Sequence, residues 1–149
     1  MANIFNIESN SNLVNRFGKL TADAKPLWGI MSVSQMVLHC QKPLDVAEGK
    51  LFLKQGLIGL LFGKWAKNDF LKRPEFKKNL PTVPAFKIVS QPIFDREKEI
   101  LIKQIIKFRE QGPSVISNKK HPFFGEMTEQ EWGILHFKHL DHHLNQFGA

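Results

Sequence analysis

The chain has 149 residues, 42% of them apolar and 13 of them Phe, with a formal charge of +7 and a pI near 9.6. That length supports one hydrophobic core and is short for two, so a single domain over residues 1–149 is expected, burying roughly 68–70% of the surface its unfolded form exposes without help from disulfides. The lone Cys40 excludes an internal disulfide framework or a Cys-based zinc site, and MANIFNIESNSNLVNRF lacks the basic region, apolar run and cleavage site of a secretory signal, so a reducing, cytoplasmic setting is expected.

Leu13, Val14, Phe17 and Leu20 recur at helical spacing behind the polar Ser9–Ser11, which predicts a first helix over Asn12–Leu20. After the linker TADAKPLWG, Ser32 and Gln35 form a capping box in which each side chain satisfies the other's backbone amide, so a second helix starts at Val33 and runs towards Gly49. Pro43 has no amide hydrogen to give the carbonyl of His39, and a kink or early end is expected near Lys42. The most apolar stretch, Leu51 to Phe62, is interrupted by Lys54 and Gln55 and falls short of the roughly 20 residues that cross a bilayer, so it reads as core or interface and no membrane partner is expected.

The glycines of GLIGLLFG and the prolines at 74, 81, 84 and 92 punctuate the next forty or so residues too heavily for one long element, predicting a short helix and then a long crossover loop. Within it, KWAKNDFLKRPEFKKN holds much of the excess positive charge. A basic surface attracts phosphates, but Asp69 and Glu75 interrupt this run and no nucleic-acid motif accompanies it, so a solvated loop is the simpler reading. Ile100, Leu101, Ile105, Ile106 and Phe108 stripe a third main helix from Asp95 to Gly112, a residue suited to a C-terminal cap. Thr128 and Glu131 form a second capping box that launches the last helix, EWGILHFKHLDHHLNQF. Nothing alternates with the period of two that marks a half-buried strand. The class is therefore all-α, and four main helices with one long connection pack most naturally as a bundle.

The last helix carries His136, His139, His142 and His143. At 100° per residue His139 and His143 lie about 40° apart, with Trp132, Leu135 and Gln146 within about 40° of His139, which makes one inward stripe. His142 lies about 60° to the other side and His136 at the flank, so both are weaker candidates. Two histidines at i and i+4 present two nitrogens to one divalent ion. On the second helix His39 shares an apolar side with Met36, Pro43, Val46 and Ala47 and is the best third ligand. Three imidazoles suit Zn²⁺ and equally Ni²⁺, Fe²⁺ or Mn²⁺. The competing reading places cationic histidines near the negative end of the helix dipole, or hydrogen-bonds them in the core.

The segments MSVSQMVLHC, HPFFGEMTEQEWG and HFKHLDHHLNQFG resemble the signatures of the domain-of-unknown-function family 1569, within the DinB-like superfamily, over nearly the whole chain. That resemblance implies a four-helix bundle, often dimeric, whose metal site takes one histidine from the second helix and an H-x-x-x-H pair from the last. His39, His139 and His143 match those positions. It also implies metal-dependent chemistry with low-molecular-weight thiols, as a transferase or isomerase, or hydrolysis, without fixing the substrate. The C-terminal run here is richer in histidine than the usual pattern.

Other residues invite roles. His121-Pro122-Phe123-Phe124-Gly125 can place an aromatic wall and an imidazole at a pocket mouth, Trp28-Gly29 and Trp132-Gly133 can frame a ligand, and Asp141 can accept a hydrogen from a ligating histidine. Packing explains the aromatics equally well. Cys40 lies about 100° round the helix from His39, which separates the two side chains. Two function classes are open. One is an enzyme whose metal activates a nucleophile, with the basic loop Lys64–Lys78 steering a small anionic or thiol-bearing substrate. The other is a non-catalytic interaction protein that offers Leu57–Phe62 to a second copy as a homodimer.

Overall fold

The computed structural model covers residues 1–149 and is mostly helical. Five α-helices run in order: α1 (Ile7–Lys19), α2 (Val33–Ala47), α3 (Leu57–Lys72), α4 (Phe94–Gln111) and α5 (Glu129–Gln146). Helices α1 and α2 each pack on both α4 and α5, while α3 packs on α5 and a short hairpin. The core between them is built around Phe17, Met36, Leu44, Leu101, Phe108, Trp132 and Leu140, all buried. No helix is long and apolar enough to cross a membrane.

Both capping boxes form. Ser32 accepts from the Gln35 amide while the Gln35 side chain accepts from the Ser32 amide, and Thr128 and Glu131 repeat the exchange at α5. Gly112 ends α4 at φ +58°. Elsewhere the boundaries move. Helix α1 begins at Ile7 rather than Asn12, because Asn10 is a buried helical residue that donates to the carbonyls of Ile4 and Ile105. Nor does α2 end at Lys42: it continues through Pro43 to Ala47. An internal proline costs about 3 kcal/mol, but the last turn buries Leu44, Val46 and Ala47 completely, and side chains of Leu or Val size return roughly 1.5–3 kcal/mol each.

The expected short helix, α3, spans 16 residues. Its glycines permit close packing: a Cβ at Gly59 or Gly63 would lie 2.7 or 2.1 Å from the carbonyl oxygen of Phe123. That carbonyl belongs to the turn of a two-residue hairpin, β1 (Lys120–His121) against β2 (Gly125–Glu126), too short to show an alternating pattern. Lys138 of α5 pins the far end of α3 by donating to the carbonyls of Phe70, Leu71 and Arg73. The crossover from 73 to 93 then returns across α2 and contributes a single 3₁₀ turn, Pro84–Phe86.

Candidate metal centre

Helix α5 carries His139 and His143 one turn apart, and α2 brings His39 against them. Their ligand atoms all lie within 4.8 Å of one another. The ring centroids are 5.1 Å apart for His39–His139, 4.8 Å for His39–His143 and 4.7 Å for His139–His143. His39 and His143 are buried and His139 is half-buried, which leaves the cluster one partly open side.

Two of the three rings are locked by partners outside the cluster. His39 Nδ1 lies 2.9 Å from the carbonyl of Phe86, and since a carbonyl only accepts, Nδ1 carries the hydrogen and Nε2 keeps its lone pair. Gln146 Nε2 donates to the carbonyl of Trp28 at 2.8 Å, which turns Gln146 Oε1 towards His143 Nδ1, also at 2.8 Å. His143 Nδ1 is therefore the donor and its Nε2 is the free nitrogen. Gly29 makes room for that amide: at φ +78° it bends the chain, and a Cβ there would meet Gln146 Nε2 at 2.7 Å. Outer partners of this kind fix tautomer and orientation in metal-ligating histidines.

His39 Nε2 and His139 Nε2 are 3.1 Å apart. Metal–nitrogen bonds of about 2.0–2.1 Å at a tetrahedral angle set neighbouring nitrogens about 3.3 Å apart, so this spacing fits two ligands of one ion. Without metal, the same contact is a hydrogen bond from His139 Nε2–H to the lone pair of His39 Nε2. Burial holds all three imidazoles below the usual histidine range. For His39 the Phe86 contact partly opposes it; His139 is lowered further by His143 and His39, and His143 falls to about 3 with His39 as the next cause. Neutral imidazole is the form that binds metal.

The other histidines have different surroundings. His142 is half-buried beside the cluster, 5.2 Å from the His143 ring, with Trp28 and Phe76 each 5.7 Å away. Buried His136 stacks on Trp132 at 5.3 Å and meets the edge of Phe108 at 5.2 Å; burial lowers its pKa to about 3. His121, read as a pocket-mouth residue, instead holds the hairpin turn: its Nδ1 accepts from the amides of Phe123 and Phe124, and its ring lies on Phe124 and near Trp132.

Several suggested roles are replaced by structural ones. Asp141 accepts from Arg16 at 2.5 Å and from Asn145 at 3.2 Å, so it is not the acceptor behind a ligating histidine. Glu131 keeps its expected place as the cap of α5 and also pairs with Lys67. Trp132 fills the core, and Gly133 accommodates Asn3, whose Oδ1 lies 2.2 Å from where a Cβ would stand. Cys40 is buried against Met36, and burial pushes its thiol far up, the opposite of an activated nucleophile.

The crossover supplies parts that periodicity did not reveal. The Phe86 carbonyl comes from its 3₁₀ turn, and Phe76 meets His139 edge-on at 6.0 Å. A shallow cleft beside His142 is lined by Trp28, Glu75, Phe76 and Lys78, with Lys78 Nζ 4.2 Å above the Trp28 ring. Gln146 stood on the inward stripe of α5, but its hydrogen bonds were not legible there. Compared with known proteins, residues 4–149 match a family described as a protein of unknown function (DUF1569). No curated protein and no solved structure matches the chain.

Proposed function

The chain belongs to the DUF1569 family of proteins of unknown function, and on that premise we propose a DinB-like four-helix bundle that binds one divalent transition metal through His39, His139 and His143 and uses it on a small molecule. The observation that carries this reading is the pair of outer hydrogen bonds, His39 Nδ1 to the Phe86 carbonyl and His143 Nδ1 to Gln146 Oε1, which leave the lone pair on Nε2 of both rings within one three-histidine cluster. Core histidines need partners for their polar atoms, but nothing in core packing requires three imidazoles to converge. The bundle itself is supported by the packing of α1 and α2 on α4 and α5.

When bound, Zn²⁺, Ni²⁺, Fe²⁺ or Mn²⁺ supplies Lewis acidity at neutral pH. The chain's own residues do the rest. Phe86 and Gln146 hold two ligands in orientation, while burial keeps all three imidazoles neutral. Phe76 meets His139 edge-on and, with Trp28, walls the neighbouring cleft at His142, where Lys78 places a cation suited to a small anionic or thiol-bearing substrate. Thiol transfer and hydrolysis are the reaction classes this arrangement accommodates.

Elemental analysis of protein purified without chelators, followed by calorimetric titration of the stripped protein with Zn²⁺ and Ni²⁺, tests the reading. One equivalent of metal per chain is expected. Protein that is reproducibly metal-free and binds neither ion would remove its basis.

A further inference from the structure

Helix α3 has one covered side and one bare side. Gly59, Gly63 and Phe70 are buried, the two glycines against the hairpin turn. Leu61 stands about 180° round the helix from Phe70, and Leu57, Ile58, Leu60, Phe62 and Trp65 fan out about it, all six between 57% and 80% exposed. Together they present on the order of 800 Å² of side chain, above the roughly 300–600 Å² of the largest patch on a typical monomer. From Leu57 to Gly63 the helix has no polar side chain, so the patch offers a partner no side-chain hydrogen bond except from the indole of Trp65. Protein interfaces carry about one hydrogen bond per 100–200 Å², whereas hydrocarbon asks for none.

The charge round the patch points to what covers it. Between Lys50 and Lys78 eight Lys and Arg side chains stand against Asp69 and Glu75, so this segment holds six of the chain's seven surplus positive charges. Lys67 and Arg73 are paired with Glu131 and Asp69, but Lys54, Lys64, Lys72 and Lys77 are exposed and have no ion-pair partner. Lys64 and Lys72 lie about 60° and 20° round from Leu61, on the bare side itself. A second copy would set this surplus against its own like; an anionic surface is its complement. We propose that α3 lies in the surface of an anionic lipid bilayer, with Leu57–Phe62 and Trp65 sunk to the headgroup boundary and Lys54, Lys64 and Lys72 reaching the lipid phosphates. Helices with Leu, Phe and Trp on one side and lysines at its flanks bind in this way, about 5–10 Å deep. The long stem of lysine follows the apolar side chains while its ammonium stays at the phosphates, and Trp favours the same depth. Crossing a bilayer takes roughly 20 apolar residues, which this helix lacks, but lying in its surface does not, so the length that excludes a span leaves this mode open.

Sedimentation of the full chain with vesicles of equal parts phosphatidylglycerol and phosphatidylcholine tests the proposal. The chain should pellet with them and bind at least about tenfold more weakly to phosphatidylcholine alone, because each lysine near an anionic surface is worth roughly fivefold. Leu61→Asp should weaken binding at least about tenfold, with the helical circular dichroism unchanged because residue 61 lies outside the core. The double change Lys64→Glu and Lys72→Glu should do the same. Lipid brominated along its acyl chains should quench the fluorescence of the parent, and most of that quenching should vanish in Trp65→Phe, which locates the contact on α3. A chain that stays in the supernatant, binds both vesicles equally, or binds undiminished as Leu61→Asp would overturn the proposal, as would quenching that persists in full in Trp65→Phe. A dimer in light scattering that binds neither vesicle would also overturn it, by giving the patch to a second copy.

Discussion

Replacing Gln146 by Leu probes the site without touching a ligand. Gln146 is buried, accepts from His143 Nδ1 at 2.8 Å and donates to the carbonyl of Trp28 at 2.8 Å. Leu fills a similar volume but serves neither group, so two buried polar atoms lose their partners, at roughly 1–3 kcal/mol for each one that water cannot reach. His143 would also be free to rotate or to move its hydrogen to Nε2, the nitrogen needed for metal. Loss of such an outer partner typically lowers metal affinity about 10–100-fold. Competition against a chromophoric chelator gives the affinity, and urea denaturation of the metal-free protein gives the stability. The expectation is a weakened metal complex together with a lower unfolding midpoint. An affinity within about twofold of the parent, with the midpoint lowered as expected, would show that Gln146 merely satisfies a core histidine and that His143 is not held for a metal.

The same geometry sets three further outcomes. His136 is neutral in the fold with a pKa of about 3 but returns to the ordinary histidine range when unfolded, so below about pH 6.5 the unfolded chain takes up the extra proton; its contribution to stability is whole above that pH and falls by about 1.4 kcal/mol per unit towards pH 3. His136→Phe should flatten the acid side of a plot of unfolding free energy against pH by about one proton, and an unchanged slope would contradict the burial argument. Gly63→Ala puts a methyl 2.1 Å from the Phe123 carbonyl and should cost about 1–3 kcal/mol by overpacking, read as a lower thermal midpoint; no change would mean that the hairpin turn does not press on α3. Alanine at His39, His139 or His143 should each remove most Zn²⁺ affinity, with little further loss on combining two, whereas His142→Ala should be mild.

The sequence announced some of this more clearly than the rest, for physical reasons. The starts of α2 and α5 were legible because capping boxes are local: four consecutive residues satisfy each other's amides. The shared face of His139 and His143 was legible because helix periodicity fixes it, and the match of His39 to the pair came from the resemblance. By contrast, the beginning of α1 was hidden because Ser9-Asn10-Ser11 looks like a cap, and only the carbonyl of Ile105, far along the chain, makes Asn10 a helical core residue. The continuation of α2 past Pro43 depends on what its last turn buries, which one residue's local preference does not reveal. Phe86 and Trp28 act through backbone carbonyls, so no side-chain pattern could mark them. Asp141 shows the converse: its position suggested an acceptor for histidine, but Arg16 of α1 claims it.

X-ray absorption at the Zn²⁺ edge of the reconstituted protein tests the central claim most directly, because outer-shell scattering counts the imidazoles on the metal. Three are expected in the parent and in His142→Ala, with fewer bound imidazoles, or none, in His143→Ala. Scattering from the parent without imidazole, or three imidazoles retained in His143→Ala and lost in His142→Ala, would contradict the assignment of His39, His139 and His143 as the ligands.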